Sequence, residues 1–178
     1  MLKVIGIVAL VLVAAIALLL IFASTRPDTF EVKRSTKIKA APEKIFALVD
    51  GLDKWKSWSP YEKLDPNMKR SRSGPTGGKG AVYEWDGNRN AGKGRMEITE
   101  STAPSKIVIA LDFEKPFEGH NVAEFTFKPN GDSTDVTWAM HGPAAFPVKV
   151  IGIFMNMDNM IGKEFENGLA NLKAEAEK

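Results

Sequence analysis

The side chains that could do chemistry are few. The sequence holds no cysteine, only two histidines, His120 and His141, and no Gly-x-Ser-x-Gly elbow. Thiolate catalysis, disulfides, and zinc or iron–sulfur sites built on cysteine are therefore excluded. A serine nucleophile with its histidine base has no recognisable frame either. The segment Gly74-Pro75-Thr76-Gly77-Gly78-Lys79-Gly80 imitates a phosphate-binding loop. It is one residue short between its outer glycines, has glycine where Ser or Thr would hold magnesium, and leads into a strand rather than a helix. Carboxylates are more numerous. Strand alternation turns Asp112, Glu114 and Glu124 away from the apolar faces, which leaves Asp158 and Glu164 as carboxylates placed beside an apolar interior. Burial there would raise their pKa towards neutrality.

The element that positions Asp158 and Glu164 is the last one. From about Pro147 to Ala176 the chain reads as one long helix, with Val150, Phe154, Met157, Ile161, Phe165, Leu169 and Leu172 on one stripe. Pro143 and Pro147 lie just ahead of it. Met157 and Met160 give the stripe flexible thioethers that fill irregular space, with Met155 off to one side.

The middle of the chain alternates with period two. Phe30 to Ala40 reads as a strand with Phe30, Val32, Arg34, Thr36 and Ile38 on one face. Ala41-Pro42-Glu43 opens a short helix that ends near Gly51, and a second short helix carries Trp55 and Trp58. Strands then place Tyr83 and Trp85, Gly94, Met96 and Ile98, and Ile107, Ile109, Leu111 and Phe113 on inward faces. Asn130-Gly131 is the strongest hairpin signal. Centring the turn on that pair sets Phe125 opposite Val136, Ala123 opposite Trp138 and His120 opposite His141, with Met140 facing Asn121. Two opposed imidazoles, with Glu118 nearby, would still be short of ligands for a metal site, so neither a metal nor another cofactor is expected.

The soluble part is therefore α+β. One long helix cannot cover five or six flat strands, whereas a strongly curved antiparallel sheet wrapped around it can, with space left between them. That space would be walled by Tyr83, Trp85, Met96, Ile98, Phe113, Phe125, Trp138 and Met140 from the sheet. Phe154, Met157, Asp158 and Ile161 would complete it from the helix. Such a lining suits a hydrophobic small molecule or lipid held by a few polar groups. A fully packed core is the competing expectation.

Ahead of this domain, Val4 to Ala23 carries no charge and no proline and is long enough to span about 30 Å of hydrocarbon as a helix. A cleaved signal peptide would have a shorter apolar core, about 7–15 residues, and a small-x-small site, which Leu20-Ile21-Phe22-Ala23 lacks. The expected organisation is a membrane anchor and linker over residues 1–28 and a domain over 29–178. Lys3 alone precedes the span and Arg26, Lys33, Arg34, Lys37 and Lys39 follow it, which favours a cytoplasmic domain. A lone lysine before a long apolar run equally fits an export signal that stays attached, so the side remains open. With 178 residues, 44% apolar and 26% charged, and a net charge of +2 without a basic patch, the chain has an ordinary globular composition and no nucleic-acid footprint.

Three stretches carry a family resemblance: Ala41-Pro42-Glu43-Lys44-Ile45-Phe46, Trp55-Lys56-Ser57-Trp58-Ser59-Pro60-Tyr61, and Val136-Thr137-Trp138-Ala139-Met140. With the element order, they make residues 29 to 176 resemble the helix-grip fold of the START-like, or SRPBCC, superfamily, in particular its polyketide cyclase/dehydrase-like bacterial members. The resemblance implies a curved sheet gripping the C-terminal helix and a cavity used for binding, transport or catalysis. It leaves three functions open: binding of a hydrophobic molecule or lipid, a polyketide cyclase or dehydratase using Tyr83, Asp158 or Glu164 for proton transfer, and a chaperone-like domain with a packed interior.

Overall fold

The structure, a computed structural model, describes residues 1–154 and 156–178. Met155 and the side chains of Leu2 and Met157 lie outside the described residues, so the expected place of Met157 on the cavity wall is not among them. Helix α1 spans Leu2–Ser24, and after a four-residue link strand β1 runs Thr29–Ile38. Helices α2 (Pro42–Asp50) and α3 (Trp55–Trp58) and a 3₁₀ turn (Pro60–Lys63) follow. Then come β2 (Lys69–Ser73), β3 (Val82–Asp86), β4 (Lys93–Thr102), β5 (Lys106–Lys115), β6 (Gly119–Asn130) and β7 (Ser133–Pro143). Helices α4 (Phe146–Phe154) and α5 (Met157–Ala176) close the chain.

All seven strands form one antiparallel sheet in the order β1-β7-β6-β5-β4-β3-β2. The first strand pairs with the last, so the two short helices cross over between the sheet's outer edges. Register irregularities between β4 and β5, at Lys93/Gly94 and Ile98/Glu100, add the twist that bends the sheet. Helix α5 lies across β1 and against α2 and α3. It buries Phe165, Leu169, Leu172 and Ala176 in a core shared with Trp55, Trp58, Phe125, Phe127 and Trp138. The Phe165 and Trp138 rings stack with centroids 4.1 Å apart. Gly168 permits that approach, since a Cβ there would stand 2.7 Å from the indole.

The structure departs from the sequence reading in two places. The terminal helix is two helices, because Asn156 leaves helical geometry and its side chain accepts the Asn159 N–H at 3.0 Å as an N-cap. Asp158 then sits in the first turn of α5, where a carboxylate is favoured. A 3.6-residue stripe is blind to such a break, because both sides of it stay apolar.

The β6–β7 hairpin is the second departure. Its turn runs Asn130–Ser133, with Gly131 at φ 66° and no positive φ at Asp132. Gly131 is thus the first central residue, as in II′ turns, and Asn130 never needs the left-handed conformation. The register moves by two residues: Phe125 pairs with Trp138 and Val122 with His141. An even shift keeps every inward face inward but separates the histidines. His120 instead faces Asp112 on β5, with Nδ1 2.7 Å from the carboxylate.

Arg34 keeps its expected place on the inward face of β1, opposite Trp138. Its guanidinium lies under α5, donating to Glu166 at 2.7 Å and to Asp158 at 3.0 Å. Gly162 makes room for it, since a Cβ there would be 1.9 Å from the guanidinium.

Candidate ligand cavity

Cross-strand pairing explains where space opens. Inward residues form rows across the sheet. Beyond a packed row of Thr36, Val136 and Phe127, the first row towards the cavity is Arg34, Trp138, Phe125 and Ile107, and the second is Val32, Met140, Ala123, Ile109 and Ile98. The third is Phe30, Gly142, Asn121, Leu111, Met96, Tyr83 and Arg72, and the outermost is Gly119, Phe113, Gly94, Trp85 and Arg70. Helix α5 packs on Arg34 and Trp138 of the first row, and α3 packs on Phe125. In the outer rows glycines interrupt the wall, and large neighbours lie flat in the gaps. The Trp85 ring covers Gly94, and the Asn121 amide lies against Gly142, at 2.5 and 2.1 Å from the Cβ each glycine lacks. Flat rings and missing side chains leave a cavity of about 660 Å³, inside the ~300–1,000 Å³ expected of a ligand pocket.

The wall brings together most of the residues expected from sequence: Tyr83, Trp85, Met96, Phe113, Trp138, Met140 and Ile161. Ile98 and Phe125 do not reach it. Both are fully buried, and Phe125 is enclosed by Trp55, Trp58 and Trp138 in the packed part of the core. Phe154 ends α4 and stands 72% exposed, because the break before α5 takes it off the stripe. Asp158 is at the surface with Arg34, whose hydrogen bond holds its carboxyl below the ordinary range rather than above it. Neither Asp158 nor Glu164 lines the cavity.

Of the two carboxylates that line it, Glu62 and Glu118, the buried one is Glu62, on the 3₁₀ turn, with its side chain 7% exposed. Tyr83 donates its hydroxyl to one Glu62 oxygen at 2.5 Å, and Arg70 Nε donates to the other at 2.8 Å. Arg70 also donates to the Met68 and Glu62 carbonyls, and the Arg72 guanidinium lies 5.2 Å from the centroid of the Tyr83 ring. A buried carboxylate is tolerated when such donors satisfy it. The signal for this group lies in β2: Arg70 and Arg72 pair with Trp85 and Tyr83, so they share the inward face. An inward arginine requires an acid, and Glu62 is the one within reach. The opposite rim carries Glu118, His120 and Asn121. Among the described residues no group of three or more His, Asp or Glu side chains is arranged to hold a metal ion.

The two tyrosines of the chain, Tyr61 and Tyr83, both face this cavity and both have raised pKa values. Burial is the main cause in each, reinforced by the charge of Glu164 for Tyr61 and by the hydrogen bond to Glu62 for Tyr83. An unfolded tyrosine ionises near pH ~10. The folded protein therefore shows no tyrosinate absorbance as pH passes that value, and the denatured protein shows two equivalents. Because the folded pKa is the higher one, the stabilisation is complete below pH ~10 and is lost as pH rises through the folded value. Tyrosinate appearing near pH 10 in the folded protein would show that both rings are solvated.

A curved antiparallel sheet closed over by a C-terminal helix, with the space between them lined by apolar side chains, defines a helix-grip domain. Residues 29–177 match the family described as "Polyketide cyclase / dehydrase and lipid transport", and the chain belongs to that family. Solved structures agree on the fold. The di-domain ARO/CYC BexL from the BE-7585A biosynthetic pathway superposes with a TM-score of 0.64 at 15% identity, covering 89% of this chain and 53% of that one. The Aha1 dimer structure from Colwellia psychrerythraea gives 0.58 at 19% identity, covering 83% and 96%. Protein CV1439 from Chromobacterium violaceum gives 0.58 at 16%, covering 86% and 99%. At these identities the likeness carries the fold alone. No curated protein matches the chain.

Proposed function

We propose that residues 29–178 bind a hydrophobic small molecule or lipid in the cavity between sheet and terminal helices, and that residues 4–23 tether this domain to a membrane, with residues 1–28 serving as anchor and linker. The observation that carries the reading is the cavity: about 660 Å³, with a mainly apolar wall and a buried polar cluster of Glu62 with Tyr83 and Arg70. That combination supports a ligand with a long apolar body and a hydrogen-bonding head, and it favours binding over a chaperone-like domain with a filled interior. Tyr83, Trp85, Met96, Phe113, Trp138, Met140 and Ile161 would contact the body and Glu62 the head. The tether reading rests on α1, which is apolar from Val4 to Ala23 and lies almost entirely outside the core.

The direct test is binding of an apolar fluorophore such as N-phenyl-1-naphthylamine to the full chain in detergent, followed by displacement with fatty acids and phospholipids. Saturable, displaceable binding at one site is the expected result, and the absence of any displaceable site would overturn the reading. The cyclase alternative has one specific observation in its favour, the Tyr83–Glu62 hydrogen bond inside the cavity. It predicts turnover of a poly-β-ketone that is lost in Tyr83→Phe, whereas the binding reading predicts none.

A further inference from the structure

We propose that helix α4 and the β5–β6 turn form a face that lies in the surface of the bilayer crossed by α1, so that the cavity loads from lipid directly. The proposal rests on the reading of α1 as a membrane span. Helix α4, Phe-Pro-Val-Lys-Val-Ile-Gly-Ile-Phe, buries none of its residues. Phe146, Ile151 and Phe154 are exposed on it, and Phe117 of the β5–β6 turn is 73% exposed. The single charge of α4 is turned inwards: Lys149, with its side chain 8% exposed, donates to Asp28 at 2.5 Å. Around these apolar side chains the turn also exposes Lys115 and Glu118, charges at the height of the headgroups at the edge of the apolar face. A helix with its apolar side outward and its charge folded in fits a lipid boundary rather than water.

The linker fixes where that boundary is. Only Thr25–Asp28 separate α1 from β1, a reach of about 13 Å at full extension. The link is tied further, since the Ala144 N–H donates to the Asp28 carbonyl at 2.7 Å and the end of α1 packs on α4 with Ala23 fully buried. The headgroup layer is itself ~5–7 Å deep on each side, so this end of the domain cannot leave the membrane surface. The same end holds one mouth of the cavity, whose rim includes Phe117, Pro143, Ala145 and Val148. A ligand entering there passes from acyl chains to the apolar wall without crossing water.

The chain has no cysteine, so single-cysteine variants of the full protein carry one nitroxide each. The positions are Phe117 and Phe154 on the face, Asp132 in the distal β6–β7 turn, and Leu12 in α1, with the protein in phosphatidylcholine/phosphatidylglycerol nanodiscs. Oxygen should relax the labels in F117C, F154C and L12C more strongly than a water-soluble nickel chelate does, with the order reversed in D132C. Nickel access at the two face positions with lipid access in L12C would overturn the face and leave the anchor standing. Nickel access in L12C would overturn both. In a second measurement, uptake of a pyrene-labelled fatty acid from vesicles should slow about tenfold or more in I151E/F154E, at two exposed positions of α4 that do not line the cavity, with the affinity for the same probe in detergent unchanged. Equal uptake rates would overturn direct loading.

Discussion

Phe125→Ala is expected to lower the stability of the domain by about 3–5 kcal/mol, the cost of deleting a fully buried aromatic ring and leaving a void. Phe125 is 0% exposed and is held by three rings, Trp55, Trp58 and Trp138, at centroid distances of 6.1, 6.0 and 4.8 Å. These contacts join α3 to β6 and β7, so the void would open where the crossover packs on the sheet. A domain of this size loses ~2–4 °C of Tm per kcal/mol, which gives a drop of roughly 6–20 °C in a thermal melt followed by tryptophan fluorescence. Phe154→Ala is the matched control. The sequence puts the two residues in the same cavity wall, but Phe154 stands outside it, and its loss should change stability by no more than ~0.5 kcal/mol. A small effect of Phe125→Ala, or equal effects of the two, would contradict the packed inner row.

Leu111→Trp should weaken binding of the apolar fluorophore by about tenfold or more, which is ~1.4 kcal/mol or above, while the fold survives. Leu111 sits in the middle of the third row, between Met96 and Asn121, and lines the cavity. An indole there extends into space that holds no other side chain, so it displaces ligand rather than protein. Tryptophan is well suited to a strand, and filling a void avoids most of the ~1–3 kcal/mol that overpacking costs in a dense core. Unchanged affinity with an unchanged melt would mean that the fluorophore binds elsewhere.

Much of this molecule was legible in its sequence, for reasons that can be named. Period-two alternation placed Tyr83, Met96, Leu111 and Trp138 on one face, and neither the two-residue slip of the β6–β7 register nor the bulges in β4 disturbed that parity. Pro42 and Gly51 bounded α2 because each suits its end of a helix. The readings that failed depended on single side chains competing for local hydrogen bonds. Asn156 broke a stripe whose apolar spacing continues across the break, and this moved Phe154 out of the wall. Asp158 found Arg34, a partner far away in sequence, and forms a surface ion pair instead of lining the cavity. Glu62 was overlooked for the converse reason. Nothing about a lone glutamate in a short turn marks it as buried until the inward arginine of β2 and the hydroxyl of Tyr83 are seen to converge on it. Separating Ile98 and Phe125 from the cavity required knowing how far α5 extends along the sheet, and strand parity carries no such information.

The central claim is that the cavity is a ligand site. Native mass spectrometry of the full chain, released from a gentle detergent after purification from membranes, tests it most directly. The account predicts protein carrying one apolar small molecule or lipid, with that adduct reduced or lost in Leu111→Trp. An adduct-free mass that stays adduct-free when the protein is incubated with a membrane lipid extract, in wild type and variant alike, would contradict it.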